Sequence, residues 1–265
     1  MPAHAVGVMD HSDSFGWLAD GSEVGYCVVG GGSGGTVCEF FAPTGKRMGK
    51  LDDFNKNWEP DPKRTRLVRK RIGLYSVPRV AWAFARDLVL TWRTSPGGEG
   101  AALARLQVGA RVRNGGAEAF PISIVCEQSA LEVHLEAWGF SPDAGLLAVL
   151  GHSFAGEFAD AFQVRVVSAA HLAEEAYNAA GFALHKRGDY AAAAPLFLKA
   201  AYAEPAAKLP MYNLACALSL LHDRGAAKAL ELAIARGGPE VVSKAKRDAD
   251  FDAVRTEAWF VALTQ

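Results

Sequence analysis

In the last third of this 265-residue chain, small and apolar residues recur at a spacing of 34: Ala180 is followed by Leu214, Gly181 by Ala215, Leu184 by Leu218 and Ala193 by Ala227, with Asn178 matched to Tyr212. A period of this length fits a repeated pair of helices joined by a tight turn. The first pair begins near Tyr177 and the next near Lys208. Between the helices of the first pair, Arg187-Gly188-Asp189-Tyr190 supplies the turn, because Gly accepts backbone angles closed to other residues and Asp caps the helix that follows. The second pair departs where Glu231 stands in the place of Phe197, and His222-Asp223-Arg224-Gly225 reads as a looser turn changed by one or two residues. The stretch from Val241 to Leu263, with Phe251, Val254, Trp259 and Phe260, reads as a third, degenerate helical cap. Each such unit buries its apolar side only against a neighbour, so the ends of the array need cover.

Tyr177, Ala180, Gly181, Leu184, Ala193, Phe197, Ala200 and Pro205 stand where the tetratricopeptide repeat needs an aromatic, small residues, a second aromatic and a stop, and this part of the chain resembles that family. The resemblance implies stacked helical hairpins whose first helices line a concave face that grips a peptide or helix of another protein. Mapped onto this chain, that face would use Asn178, Leu184 and His185 from the first repeat and Asn213, Ala217 and Leu220 from the second. Asn178 and Asn213 are 35 apart (213 − 178), so their equivalence requires an adjustment of register. Basic residues can clamp a partner's terminal carboxylate in this family, and Lys186 and Arg187 are the nearby candidates here.

Before residue 168 the character changes to Val, Trp, Thr and Gly clusters, so two domains are expected: a β-rich one over 1–168 and a helical one over 169–265. Trp17-Leu18-Ala19-Asp20-Gly21-Ser22 places a turn before a strand at Val24–Val29. The glycine loop Gly30–Gly35 returns the chain into Thr36–Phe41, and Ala42-Pro43-Thr44-Gly45-Lys46 turns it again. This order resembles one blade of a β-propeller, and Gly139-Phe140-Ser141-Pro142-Asp143-Ala144-Gly145 begins a second copy. A propeller needs at least four blades, more than the ~150 residues supply, so a compact antiparallel sheet pair or a few blade-like hairpins is expected. Further strands are expected at Leu88–Thr94, Ala104–Val112, Ile122–Glu127 and Leu131–Trp138, with loops and a short helix near Pro78–Arg86 between Asp52 and Phe84. The fold class is α+β: antiparallel β-rich sequence followed by helical hairpins.

A net charge of −1 gives no global attraction for nucleic acid or anionic lipid. No stretch reaches the ~20 uninterrupted apolar residues of a membrane helix. The first residues lack the cationic start and apolar core of a secretion signal, which implies a cytoplasmic protein. Cys27 and Cys38 are placed symmetrically about the glycine loop; either they pair in an oxidising compartment or they are two small apolar residues of the sheet.

Three segments invite chemical readings. Gly151-His152-Ser153-Phe154-Ala155-Gly156 resembles the nucleophile elbow of α/β-hydrolases, which makes Ser153 a candidate nucleophile; that elbow also requires a strand-to-helix turn, a later His and an acid. The basic run Lys63–Arg71, near Trp58 and Tyr75, could hold phosphates and stack bases, or form a solvated face balanced by Asp52, Asp53, Glu59 and Asp61. Gly31-Gly32-Ser33-Gly34-Gly35 lacks the Lys-Ser/Thr of a phosphate loop and reads as a hairpin tip. No metal-ligand constellation and no cofactor motif stands out, since the His residues are scattered and no Cys-x-x-Cys occurs. The expected role is a non-catalytic adaptor binding a protein or peptide through its helical hairpins, with the serine hydrolase and the nucleic-acid binder as alternatives.

Overall fold

The computed structural model describes residues 15–29, 36–52, 63, 64, 66, 75–76, 87–97, 103–125, 132–154 and 160–265. The glycine loop, most of the Asp52–Phe84 interval and the helix expected near Pro78–Arg86 lie outside the described residues.

Two compact units are formed, one of Met1–Ala85, Trp92–Val108 and Ile122–Ala169, the other of Arg86–Thr91, Gly109–Pro121 and Ala170–Gln265. The layout is α+β, with antiparallel sheets preceding the C-terminal helices. Strands β1 (Phe15–Leu18), β2 (Val24–Val29), β3 (Thr36–Phe41) and β4 (Arg47–Asp52) make a meander that β5 (Tyr75–Ser76) extends, in the order β4-β3-β2-β1-β5. Strands β6 (Leu88–Ser95), β7 (Arg105–Val112) and β8 (Glu118–Val125) form a second sheet. Strands β9 (Glu132–Phe140), β10 (Leu146–Phe154) and β11 (Asp160–Ser168) form a third. Alternating inward residues Phe15, Trp17, Val24, Tyr26 and Phe41 pack on Ala148, Leu150 and Val164 to make the core of the first unit. The Trp17 indole Nε1 donates to the Gly139 carbonyl at 3.0 Å, which satisfies its polar group inside that core.

The two blade-like copies share one turn design. Leu18 N–H donates to the Glu23 carbonyl and Gly21 N–H to the Leu18 carbonyl; Ser141 N–H donates to the Leu146 carbonyl and Ala144 N–H to the Ser141 carbonyl. In each, an aspartate accepts from the backbone two residues on, Asp20 from Ser22 at 2.9 Å and Asp143 from Gly145 at 3.0 Å. Both aspartates are held below the usual carboxylate range, first by the serine hydroxyl that donates to each. Cys27 and Cys38 face each other in the β2–β3 register and are joined by a disulfide.

In the second unit, α1 (Ala169–His185), α2 (Tyr190–Ala203), α3 (Lys208–Leu220) and α4 (Gly225–Gly237) form two helical hairpins. The hairpin turns superimpose residue for residue at first: Asp189 N–H donates to the Leu184 carbonyl and Asp223 N–H to the Leu218 carbonyl. They then diverge. Asp189 caps Ala192, three residues on, and the Ala193 N–H reaches back to the Asp189 carbonyl. Asp223 caps Gly225, two residues on, and the Ala226 N–H reaches the Asp223 carbonyl, one residue tighter. From there the spacing is 33: Ala193, Phe197 and Ala200 correspond to Ala226, Leu230 and Ala233, all buried (226 − 193, 230 − 197, 233 − 200). The expected partner of Ala193, Ala227, therefore gives way to Ala226, and Glu231 turns outward to pair with Lys228. Gly181 exists for close approach: a Cβ there would stand 2.8 Å from the Phe197 ring.

A third repeat-like segment of this second unit starts with α5 (Pro239–Ala245), entered through Gly238 at φ +59°. Carrying α3 forward by 34 would give a helix over 242–254 (208 + 34, 220 + 34). Instead α5 stops at Ala245, and a 3-10 helix (Ala249–Val254), capped by Asp248, turns Phe251 into the core before α6 (Ala258–Thr264) closes the chain.

Candidate functional site

The six residues expected on a concave face are brought together in part. Asn213 Nδ2 donates to Asn178 Oδ1 at 2.9 Å, so the pair 35 apart meets directly. Leu184 and Leu220 are half-buried, and Ala217 is fully buried. His185 Nε2 lies 3.0 Å from Asp250 Oδ2 on the 3-10 helix, and its ring abuts Tyr190.

On α3 the stripe Tyr212, Cys216, Ser219 (i, i+4, i+7) faces the same 3-10 segment. The Tyr212 hydroxyl donates to Asp248 Oδ2 at 2.7 Å, its ring stands edge-on to Phe251, and Lys244 Nζ lies 4.1 Å from the ring centroid. The Cys216 Sγ lies 4.0 Å from Asp248 Oδ2. Burial pushes the Cys216 thiol up, and the charges of Asp248 and Asp250 push it further, with Lys244 opposing; the Tyr212 phenol is raised by burial and then by Asp248. A thiol raised in this way is a weaker nucleophile than a free one. Residues 248–251 of the chain itself consequently cover this part of the α1–α3 face.

An open apolar groove of about 540 Å³ lies elsewhere in the unit, between α2, α3 and α4. Leu198 and Tyr202 from α2, Met211, Leu214 and Leu218 from α3, and Leu232 from α4 line it. Tyr202 is 73 % exposed and Leu198 36 %, an arrangement that leaves apolar surface without a covering element among the described residues. Sequence reasoning missed this groove because it followed the repeat's first helices. The available signal was Leu198 and Tyr202, i and i+4 on α2, off the stripe of Ala193, Phe197 and Ala200.

Ser153 sits inside β10, opposite Val133 of β9 and Ala161 of β11, and is buried. A continuous antiparallel strand, rather than a strand-to-helix turn, carries it. Gly151 has a packing reason: a Cβ there would stand 2.7 Å from Ile124 Cδ1, at the point where the β9–β10 register shifts. Of the basic run, Lys63, Arg64 and Arg66 are described; all are exposed, and Arg64 pairs with Asp52 at 2.8 Å. No helix among the described residues is long and apolar enough to cross a membrane. Comparison with protein-family models, curated proteins and solved structures gives no match.

Proposed function

We propose that the helical unit is a non-catalytic adaptor module of tetratricopeptide type that binds a protein or peptide partner. The open groove between α2, α3 and α4 carries this reading, because it exposes Leu198 and Tyr202 while the α1–α3 face holds the chain's own 3-10 helix. A partner presenting an apolar helix face or extended segment would bury Tyr202 and Leu198, and an exposed aromatic of this kind is a common anchor of such contacts. Asn178, His185, Asn213 and Ala217 then act in holding the hairpins and cap together, with Leu184 and Leu220 beside them.

The partner contact is tested by retaining partners on the full chain. Leu198→Asp and Tyr202→Ser should each release a partner that the parent chain and Asn178→Ala retain. Retention by both groove variants, shown folded by circular dichroism, would contradict the proposal. The Cys27–Cys38 disulfide favours an oxidising compartment over the cytoplasm.

A further inference from the structure

We propose that Cys216, Asp248 and Asp250 bind a divalent metal ion of the zinc class. Their ligand atoms, one sulfur and two carboxylate oxygens, all lie within 4.8 Å of one another. Ligands of a single tetrahedral zinc stand ~3.5 Å apart, given Zn–S near ~2.3 Å and Zn–O near ~2.0 Å, so rotamer-scale movements bring the three to one ion. Asp248 and Asp250 are half-exposed, which gives the ion a route in.

A further observation points to a ligand at this place. Ser219, one turn along the same α3 stripe and only 1 % exposed, has a buried hydroxyl with no hydrogen-bond partner among the described residues. An unsatisfied polar atom in a packed interior is costly, and this one, one turn from Cys216, marks a polar place that the ion's bound water would satisfy.

The surrounding residues suit such an ion. The Tyr212 hydroxyl holds Asp248 and the His185 ring holds Asp250, the outer support that orients metal-binding carboxylates. One sulfur among the donors selects zinc or cobalt over magnesium and calcium, which require oxygen alone. As the metal–sulfur bond forms, the Cys216 Sγ–H bond breaks and its proton leaves to solvent, the electron pair remaining on sulfur as the donor pair. Bound there, the ion would clamp α3 to the start of the 3-10 helix. This inference concerns the cap and stands independently of partner binding.

The test is a cobalt(II) titration of the full chain carrying Cys126→Ser, which leaves Cys216 the only thiol outside the disulfide. The expected result is a near-ultraviolet thiolate-to-cobalt band that saturates at one cobalt per chain, is displaced by zinc and is untouched by excess magnesium. Cys216→Ser should abolish the band, and Asp250→Asn should weaken binding by about tenfold or more. Asp252→Asn, on the exposed side of the same 3-10 helix, should leave it unchanged. Absence of the band, its survival in Cys216→Ser, or equal weakening by Asp252→Asn would each overturn the proposal. Should Cys216→Ser fail to fold by circular dichroism, unchanged affinity in Asp250→Asn overturns it alone.

Discussion

Gly188 and His222, 34 positions apart, occupy the same point of their two hairpin turns with the same left-handed backbone, φ +79° and +55°. Each donates its N–H to the carbonyl three residues back, Gly188 to His185 and His222 to Ser219. A Cβ is penalised in this conformation and glycine is not. His222→Gly should therefore stabilise the helical unit by about 1 kcal/mol, and Gly188→Ala should destabilise it by a similar amount. Chemical denaturation of both variants checks the pair of signs.

The Asn178–Asn213 hydrogen bond ties α1 to α3 at the position where the repeat register is ambiguous. Each single alanine variant should cost about 1 kcal/mol, and the double variant less than the sum, because either change removes the same bond. A double-mutant cycle measures the coupling; strict additivity would show that the bond contributes nothing.

Much of the helical unit was legible in the sequence because its helices and turns are local: Gly188 and Asp189 announce the first turn, and Gly181 with Phe197 announces the hairpin packing. The change of spacing from 34 to 33 was only half legible. Glu231 flagged it, but placing the deleted residue required seeing Asp223 cap Gly225 rather than Ala226. The covered α1–α3 face was not legible at all, since the break after Ala245 carries neither Gly nor Pro and depends on Asp248, His185 and Tyr212 meeting across distant positions. In the β-rich part, alternation and turn residues located the strands, whereas the disulfide was a choice between two readings that only the Cys27–Cys38 register decides.

Gly151 and Ser153 lie two residues apart on β10 and make opposite predictions. Gly151→Ala should destabilise the first unit by about 1–3 kcal/mol, because its Cβ would enter the space of Ile124 Cδ1, and Ile124→Val should recover part of the loss. Ser153→Ala removes a hydroxyl from a strand interior rather than from an elbow. A fluorophosphonate probe should accordingly fail to label the parent chain, and labelling lost in Ser153→Ala would support the hydrolase reading instead.

The Glu174 carboxyl on α1 is pushed up to about 7, first by burial and then by the negative charges of Glu175 and Glu204. Its ordinary value is 4.5, so between about 4.5 and about 7 the folded chain holds a proton that the unfolded chain has released. The contribution to stability is present below that window and is lost as pH rises through it. Melting temperature measured from pH 5 to 8 should fall more steeply in the parent than in Glu174→Gln.

The central claim is that the exposed groove of α2–α4 is the partner-binding surface. The most direct measurement is site-specific photo-crosslinking of the full chain, with a benzophenone amino acid placed at Tyr202 or, separately, at Asn178. The account predicts a defined crosslinked protein from Tyr202 that disappears when Leu198→Asp is added, and none from Asn178, which is engaged with Asn213 between α1 and α3. Crosslinking of that same protein from Asn178 and not from Tyr202 would contradict it.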